Sequence, residues 1–446
     1  MKPTTTDILP QGYKMTELGP LPEEWEVVQL ANKYIEFQNG LWKGKKEPYI
    51  NVRVLRNTNF NNDGTIDFDD VAELDVEQRN FKNREIIKDD IILERSGGGP
   101  TQPVGRVVFF EKNDQLRYSF SNFTSRIRVI DKLRIFPKYL FFYLLNFYYQ
   151  GKTNDIQNRT TGIRNLDFSK YKQISLPLPP LPEQQKIAAV LTAVQEAKEK
   201  TQAVIDATKA LKKSMMKYLF TYGPVWPEEA ANVPLKETEI GKVPEDWEVV
   251  RLREVTEKAK QKDPRRDPSN EFKYVDVSAI SNDALKITSY SEFLGKNAPH
   301  RARKAIQTDD IIFATVRPYL KRIAIVPENL NGQIASTAFC VIRCKKQIVN
   351  PYYIFYTVSL DNFVNRVTEN QRGSSYPAVT DKDILNQYIP LPPLPIQQKI
   401  ASILSAIDAK IEAEENKKQA LEELFKTLLH NLMTAKIRVT GINELP

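Results

Sequence analysis

The sequence predicts a mixed α+β protein: two copies of one α/β domain and two long helices that pair antiparallel as a coiled coil. Three observations lead there. The segment TELGPLPEEWEVVQL (Thr16–Leu30) returns as TEIGKVPEDWEVVRL (Thr238–Leu252), with ten of fifteen positions identical. PLPPLPEQQKIAAVL (Pro177–Leu191) returns as PLPPLPIQQKIASIL (Pro390–Leu404), with twelve of fifteen identical. Behind each of these second blocks runs a stretch of 38 residues without glycine or proline, Glu183–Phe220 and Ile396–Met433. Self-similarity of this kind marks a duplicated architecture. The offset between copies falls from 222 to 213, so the interior of the first copy is nine residues longer.

Within each copy the elements follow in a common order. The Pro-x-x-Trp opening leads into a strand (Glu26–Leu30, Glu248–Leu252), and β-rich runs such as YINVRVL (Tyr49–Leu55) and KYVDVSAI (Lys273–Ile280) come next. IIKDDIILE (Ile86–Glu94) parallels AIQTDDIIF (Ala305–Phe313), and GRVVFF, IRVI and FCVIRC fit further strands. FPKYLFFYLLNF (Phe136–Phe147) parallels NPYYIFYTVSLDNF (Asn350–Phe363), and each begins a short buried helix at a proline. The runs LPLPPLP (Leu176–Pro182) and LPPLP (Leu391–Pro395) read as stiff extended connections, because proline breaks helix and central-strand hydrogen bonding. Each 38-residue stretch behind them would reach about 57 Å as a helix at 1.5 Å per residue.

In the first long helix Ile187, Val194, Thr201, Thr208 and Met215 recur every seven residues, with Val190, Ala197, Val204 and Leu211 between them. That is the pattern of a coiled-coil seam. In the second, Ile400, Ile407, Leu421 and Leu428, with Ile403 and Leu424 between, do the same, while Lys410, Glu414 and Lys417 interrupt the middle. Two amphipathic helices of equal length most simply bury their stripes on each other, and with a domain between them in sequence they run antiparallel. The plainer alternative is that each packs on its own domain.

A length of 446 residues suits two to four domains of roughly 100–200 residues each. With 41% hydrophobic and 27% charged residues, the chain is not mainly disordered. Lysine and arginine number 64 against 56 acids, a net charge of +8, whose sign favours a polyanion such as nucleic acid. The longest apolar stretch, Tyr139–Tyr149, falls short of the roughly 20 residues that span a bilayer, so no membrane segment is expected. Two cysteines, Cys340 and Cys344, cannot make a disulfide framework, and the amino-terminal residues lack a secretory pattern. These features point to the cytoplasm.

Catalytic chemistry finds little to stand on. SGGGPTQPVG (Ser96–Gly105) is glycine-rich but lacks the G-x-x-x-x-G-K-[ST] ending of a phosphate loop, and no G-x-G-x-x-G occurs. The run instead lets backbone approach another surface closely, or is an ordinary turn. Only His300 and His430 could join the cysteines around zinc, which makes a four-ligand site improbable, and the same scarcity starves His-based nucleophilic catalysis. The paired acids Asp89-Asp90 and Asp309-Asp310, each before Ile-Ile, suit turns feeding apolar strands better than a carboxylate site. Glu271-Phe272-Lys273 behind Asp263 and Asp267 only faintly matches a metal-dependent nuclease pattern, and the other half does not repeat it. Asn350-Pro351-Tyr352-Tyr353 lacks the second proline of the adenine-methyltransferase motif and aligns with Phe136-Pro137-Lys138-Tyr139, a helix start. No site for S-adenosylmethionine, ATP or metal emerges.

The twin [LV]PE[ED]WEVV openings, the twin PLPPLPxQQKIA blocks and the long helix behind each resemble the specificity subunit of type I restriction-modification systems, over essentially the whole chain. The resemblance implies two target-recognition domains, residues 1–182 and 223–395, each reading one half of a split DNA sequence. It implies spacer helices at 183–222 and 396–446, the latter with a carboxy-terminal tail, that set the half-site spacing and dock two methyltransferase subunits. Restriction subunits would join that core. S-adenosylmethionine, ATP and Mg would act on the partners, leaving this chain without a cofactor and non-catalytic. The competing readings are an enzyme with unrecognised residues and a coiled-coil adaptor without DNA preference.

Arginine reads guanine, asparagine and glutamine read adenine, and glycine or serine turns offer N–H groups to phosphate. Candidate DNA contacts therefore fall in the segments where the copies diverge. In the first half these are Trp42, Lys43, Lys45, Lys46, Arg95, Ser96, Gly97, Gly98, Gln102, Arg159, Thr160, Thr161 and Arg164. In the second they are Arg265, Arg266, His300, Arg301, Arg303, Arg317, Tyr319, Lys321, Arg372, Ser374, Ser375 and Tyr376. ERSGGGPTQPVGR and ATVRPYLKRIA both follow the DDII strand, and NRTTGIRNLDF and NQRGSSYPAVT both precede the proline block. Shared position with differing sequence suits reading loops; the alternative is solvated surface. For partner docking the choice is Pro182, Gln184, Gln185, Ile187 and their equivalents Pro395, Gln397, Gln398 and Ile400, the alternative being upkeep of the proline corner.

Overall fold

The computed structural model describes residues 9–41, 44, 46–99, 102–160 and 163–439, with 159 and 160 described by their backbone alone. The chain forms two compact units, residues 1–200 with 417–446, and residues 201–416.

In the first unit the central sheet orders its strands as Ile35–Asn39, Thr124–Val129, Ile91–Glu94 and Val107–Phe109, all antiparallel. The second unit repeats it with Thr256–Glu257, Phe339–Cys344, Ile311–Ala314 and Ile323–Ile325. The DDII segments supply the inner strand Ile91–Glu94 or Ile311–Ala314, whose apolar residues are buried on both faces. The helices Pro137–Tyr149 and Pro351–Ser359 belong to the cores beneath, Tyr139 and Tyr353 being fully buried. Pro351 follows the N-cap Asn350, whose side chain accepts from the Tyr353 N–H at 3.1 Å, so this motif caps a helix.

The acid pairs are structural. Asp89 and Asp309 hold left-handed φ of 75° and 70° at the turn, a conformation aspartate tolerates better than most residues. The next carboxylate is buried and bidentate with an arginine across the sheet. Asp90 meets Arg128 at 2.7 and 2.6 Å, and Asp310 meets Arg343 at 2.9 and 2.7 Å. Each also accepts a backbone N–H, from Ile87 or Gln307, at 2.8 Å.

The tryptophan openings fold as the strands Glu26–Gln29 and Glu248–Arg251, and each pairs with the strand of its proline block, Ser175–Leu178 or Tyr388–Leu391. The proline runs are thus not wholly extended connectors. Pro177 lies opposite Val27 in a two-stranded pair, where one side of the strand needs no ladder donor. Pro182 and Pro395 sit in the first turn of the long helices, where a missing N–H costs nothing. Trp25 is fully buried and donates its indole N–H to Glu183 at 3.0 Å; Arg438 binds the same carboxylate at 2.7 and 2.9 Å. In the second copy the position of Glu183 is Ile396, and Trp247 packs in an apolar core with Phe220.

The long helices span Leu181–Tyr222 and Leu394–Met433, 42 and 40 residues, slightly longer than the sequence pattern suggested. The start of one packs with the end of the other: Ile187 and Leu191 share a core with Phe425, Leu429 and Leu432 in the first unit. Leu219 and Phe220 share one with Ile400 and Leu404 in the second. That order is antiparallel. The seam positions at Ile187, Thr201 and Ile400 are buried as expected, but the intermediate row lies one residue later. Leu191, Ile205, Leu404, Ile411 and Phe425 are buried, Val190 and Ile403 beside them are only partly so, and Val204, Leu211 and Leu424 are exposed. At 3.6 residues per turn a 3-4 alternation can begin with either step, and two apolar residues side by side, Val190-Leu191 and Ile403-Leu404, left the choice open in sequence.

KYVDVSAI is a strand to Val275; Asp276 then caps a 3₁₀ turn by accepting from the Val277 N–H at 2.7 Å, and a short second strand begins at Ile280.

Candidate nucleic-acid interface

The segments singled out by repeat logic come together in each unit. In the first, the strand Ser96–Gly98 pairs with Ile163–Leu166, itself the second arm of a hairpin with Gln157–Thr160. Gly98 lies opposite Arg164, Ser96 opposite Asn165, and Arg159 opposite Arg164. Glycine suits the close packing of this loop on Asn57 and on its own return through Gln102 and Val104. A Cβ on Gly97, whose φ is +104°, would lie 2.5 Å from Asn57 Nδ2, and one on Gly98 would lie 2.7 Å from Val104 Cγ1.

A charged clamp that sequence reasoning missed holds the stem of this loop. Glu94, buried just before it, takes two bonds from Arg106, just after it, at 2.7 and 2.9 Å. Arg106 also donates to the carbonyls of Phe60 and Asn57 at 2.8 and 3.0 Å. Burial alone would lower the arginine's pKa, but its bonds to Glu94 raise it, so the guanidinium stays charged. The signal was present as an acid and a base flanking a glycine run.

Arg95 stacks 4.3 Å over Phe168 and donates to Asn39 Oδ1 at 2.7 Å; burial lowers its pKa. It supports the hairpin base more than it faces solvent. Ser96 Oγ bonds Asn165, the Gln102 amide lies against Arg106, and Lys46 is exposed. Trp42, Lys43, Lys45 and Thr161 lie outside the described residues, as do the side chains of Arg159 and Thr160.

In the second unit Val316 bridges to Ala378, as does Arg372, bringing ATVRPYLKRIA and NQRGSSYPAVT into contact. The Arg317 N–H donates to the Pro377 carbonyl at 2.8 Å, and its guanidinium lies 5.4 Å over Tyr376, whose ring is 75% exposed. Arg317 and Lys321 both hold φ of 50°, uncommon for residues with a Cβ, which makes a tight crest around Pro318–Leu320. Tyr319, Ser374 and Ser375 are exposed on these two segments, and Arg372 pairs with Asp383 at 3.0 Å.

Two expected contacts face elsewhere. Arg303 turns inward to the carbonyls of Pro299 and Ala302 at 3.3 and 2.6 Å, because its strand residue is half-buried beside Asp263. Lys321, at the end of the crest, pairs with Asp361 and reaches the Ser359 carbonyl at 3.3 Å. Arg265 is held by Asp263 at 2.9 and 3.1 Å and keeps that carboxyl well below its usual range. Arg266, His300 and Arg301 are exposed but lie on other segments than the crest.

The expected partner surface divides. Pro182, Gln185, Pro395 and Gln398 are exposed, while Gln184, Ile187, Gln397 and Ile400 are buried at 1% exposure or less and so offer no surface. The glutamines plug the proline corner. Gln184 Oε1 accepts from the Phe136 N–H at 2.8 Å, and its Nε2 donates to the Pro179 and Arg134 carbonyls at 2.8 and 3.1 Å. Gln397 makes the same three bonds to Asn350, Pro392 and Ile348, at 2.9, 2.8 and 3.2 Å. Gln184→Leu strands those three backbone groups and is expected to cost about 1–3 kcal/mol, against less than about 0.5 for Gln185→Ala, read as urea midpoints.

Among the described residues no group of three or more His, Cys, Asp and Glu could hold a metal ion. Cys340 and Cys344 are free and buried in the strand core, which raises both thiols, Cys344 to about 12. No helix among the described residues is long and apolar enough to cross a membrane.

Comparison with known proteins agrees with this architecture. The family model for the type I restriction modification DNA specificity domain matches residues 22–207 and again 244–423. The putative type I restriction enzyme MjaX specificity subunit of Methanocaldococcus jannaschii is 29% identical over 449 aligned positions, covering 96% of this chain and 97% of that protein. The S subunit structure from M. genitalium aligns over 92% of this chain and 96% of that one with a TM-score of 0.55 at 16% identity, a likeness of fold. The HsdS subunit structure from Thermoanaerobacter tengcongensis is 43% identical over 46% of this chain and 52% of that one, with a TM-score of 0.37. With both repeats matched over well more than half its length, the chain belongs to the family of type I restriction-modification DNA specificity subunits.

Proposed function

We propose that each unit reads one half-site of a split, asymmetric DNA target, that the paired helices set the number of unread base pairs between the half-sites, and that two methyltransferase subunits dock on this chain. The observation that carries the reading is the meeting, in each unit, of two segments that share their place in the repeat and differ in sequence. A common scaffold with unlike edges is what two unlike half-sites need. The chain itself carries no chemistry: methyl transfer from S-adenosylmethionine, and ATP- and Mg-dependent cleavage by restriction subunits, belong to the partners, in the cytoplasm. Docking would use the exposed Pro182, Gln185, Pro395 and Gln398 rather than their buried neighbours.

Co-expression with a methyltransferase partner, followed by modification mapping of genomic DNA, is expected to give one split motif with methyladenine in both halves. A stable complex that leaves DNA unmodified would instead support an adaptor without sequence preference. Within that complex Arg317→Ala is expected to cost about 1–3 kcal/mol of DNA affinity and to relax specificity in one half-site only. A uniform loss across sequences, with a shallower salt dependence, would make it a phosphate contact.

A further inference from the structure

The second unit contains a cavity of about 940 Å³, near the upper end of the range of small-molecule sites, between the long-helix segments and the α/β domain of that unit. Its floor is apolar, with Met216, Phe220, Val243, Leu285, Phe363 and Ile411. Its acids are all spoken for. Lys209 pairs with Asp283 and Glu415 at 3.2 and 3.0 Å, and Lys212 with Asp408 at 2.6 Å. Lys286 holds Glu412 at 2.8 Å and Lys321 holds Asp361.

What is left over is positive. Lys213, Lys217 and Lys242 line the same cavity, are exposed, and form no ion pair among the described residues. Arg366 lines it too, and its Nη2 donates to the Tyr388 carbonyl at 2.8 Å. Ammonium groups without carboxylate partners beside an apolar wall suit an acceptor of negative charge carried on an apolar body.

The repeat supplies an independent argument. The first unit has a cavity of about 640 Å³ at the equivalent place, lined by Glu422, Phe425 and Lys426 where the second has Lys209, Lys212 and Lys213. Lys198 stands there for Ile411 and is bound to Asp63 at 2.6 Å. One partner present in two copies would meet like chemistry in both places; these differ in charge and polarity. We therefore propose that the cavity of the second unit is a binding site for a small amphipathic anion, a phosphate-type head on an apolar body. The cavity touches the segments proposed to read DNA only at Lys321, whose ammonium is taken by Asp361, and the proposal does not depend on that reading.

The test uses the full chain and 8-anilinonaphthalene-1-sulfonate, a fluorescent anion on an aromatic body. Saturable binding that weakens with salt is expected, reduced about tenfold or more by Lys213→Glu with Lys242→Glu, or by the filling change Ile240→Trp. Displacement by dodecyl phosphate would mark an aliphatic body, and displacement by adenosine monophosphate a nucleotide; either supports the site. Displacement by neither, salt-independent binding, or equal binding by the variants overturns it, as does an equal loss on Phe425→Trp in the other unit. Circular dichroism of each variant separates loss of the site from loss of fold.

Discussion

A four-residue insertion in both long helices is expected to lengthen the unread gap of the DNA target by one or two base pairs while leaving both half-sites unchanged. Four residues add about 6 Å of helical rise, against about 3.4 Å per base pair. Four is also close to one turn, so the apolar seam from Ile187 to Phe220 keeps its face with only a local stutter. A single-residue insertion would rotate everything beyond it by about 100° and should abolish modification instead. Modification mapping with the insertion protein reads the gap directly. An unchanged gap would mean that something other than helix length measures the DNA.

Asp310→Ala is expected to be among the most destabilising single changes in the second unit, and Asp90→Ala in the first. Each aspartate is buried, bidentate with an arginine, and bonded to a backbone N–H of its own turn. Removing it leaves Arg343 or Arg128 half-buried without its partner, a loss of about 3–5 kcal/mol. For a unit of this size that lowers the melting temperature by about 10 °C or more. The neighbouring Asp309→Ala removes a more exposed pair with Lys346 and should cost about 1 kcal/mol or less on that account. If calorimetry ranks the two the other way round, the buried carboxylate is not what anchors the turn.

Most of the architecture was legible because repetition makes sequence self-annotating. The tryptophan openings, the DDII strands and the proline blocks each appear twice, so a strand or helix start in one copy vouches for the other. What stayed hidden depends on side-chain direction. Nothing in PLPPLPxQQKIA says that the first glutamine points inward and the second outward; the depth of the proline corner decides it. Similarity between the copies therefore marked the corner's internal plug as readily as a shared surface. The reading segments were found by place and not by contact. Arg317 and Tyr376 are 59 positions apart and meet only because the crest folds back to Ala378, whereas Arg303, equally basic in sequence, turns to the carbonyls of Pro299 and Ala302, and Lys321 to Asp361.

The two units differ in how they are assembled from the chain. The second is one continuous stretch, 201–416, while the first needs residues from 417 onward, including Phe425, Leu429 and Leu432 against Ile187 and Leu191 and the Arg438 clasp on Glu183. During vectorial synthesis the half that is translated first is thus the half completed last. Its amino-terminal sheet must wait on the ribosome with Leu191 uncovered while the later half closes, so a premature stop near position 416 would spare the second unit and leave the first without its lid.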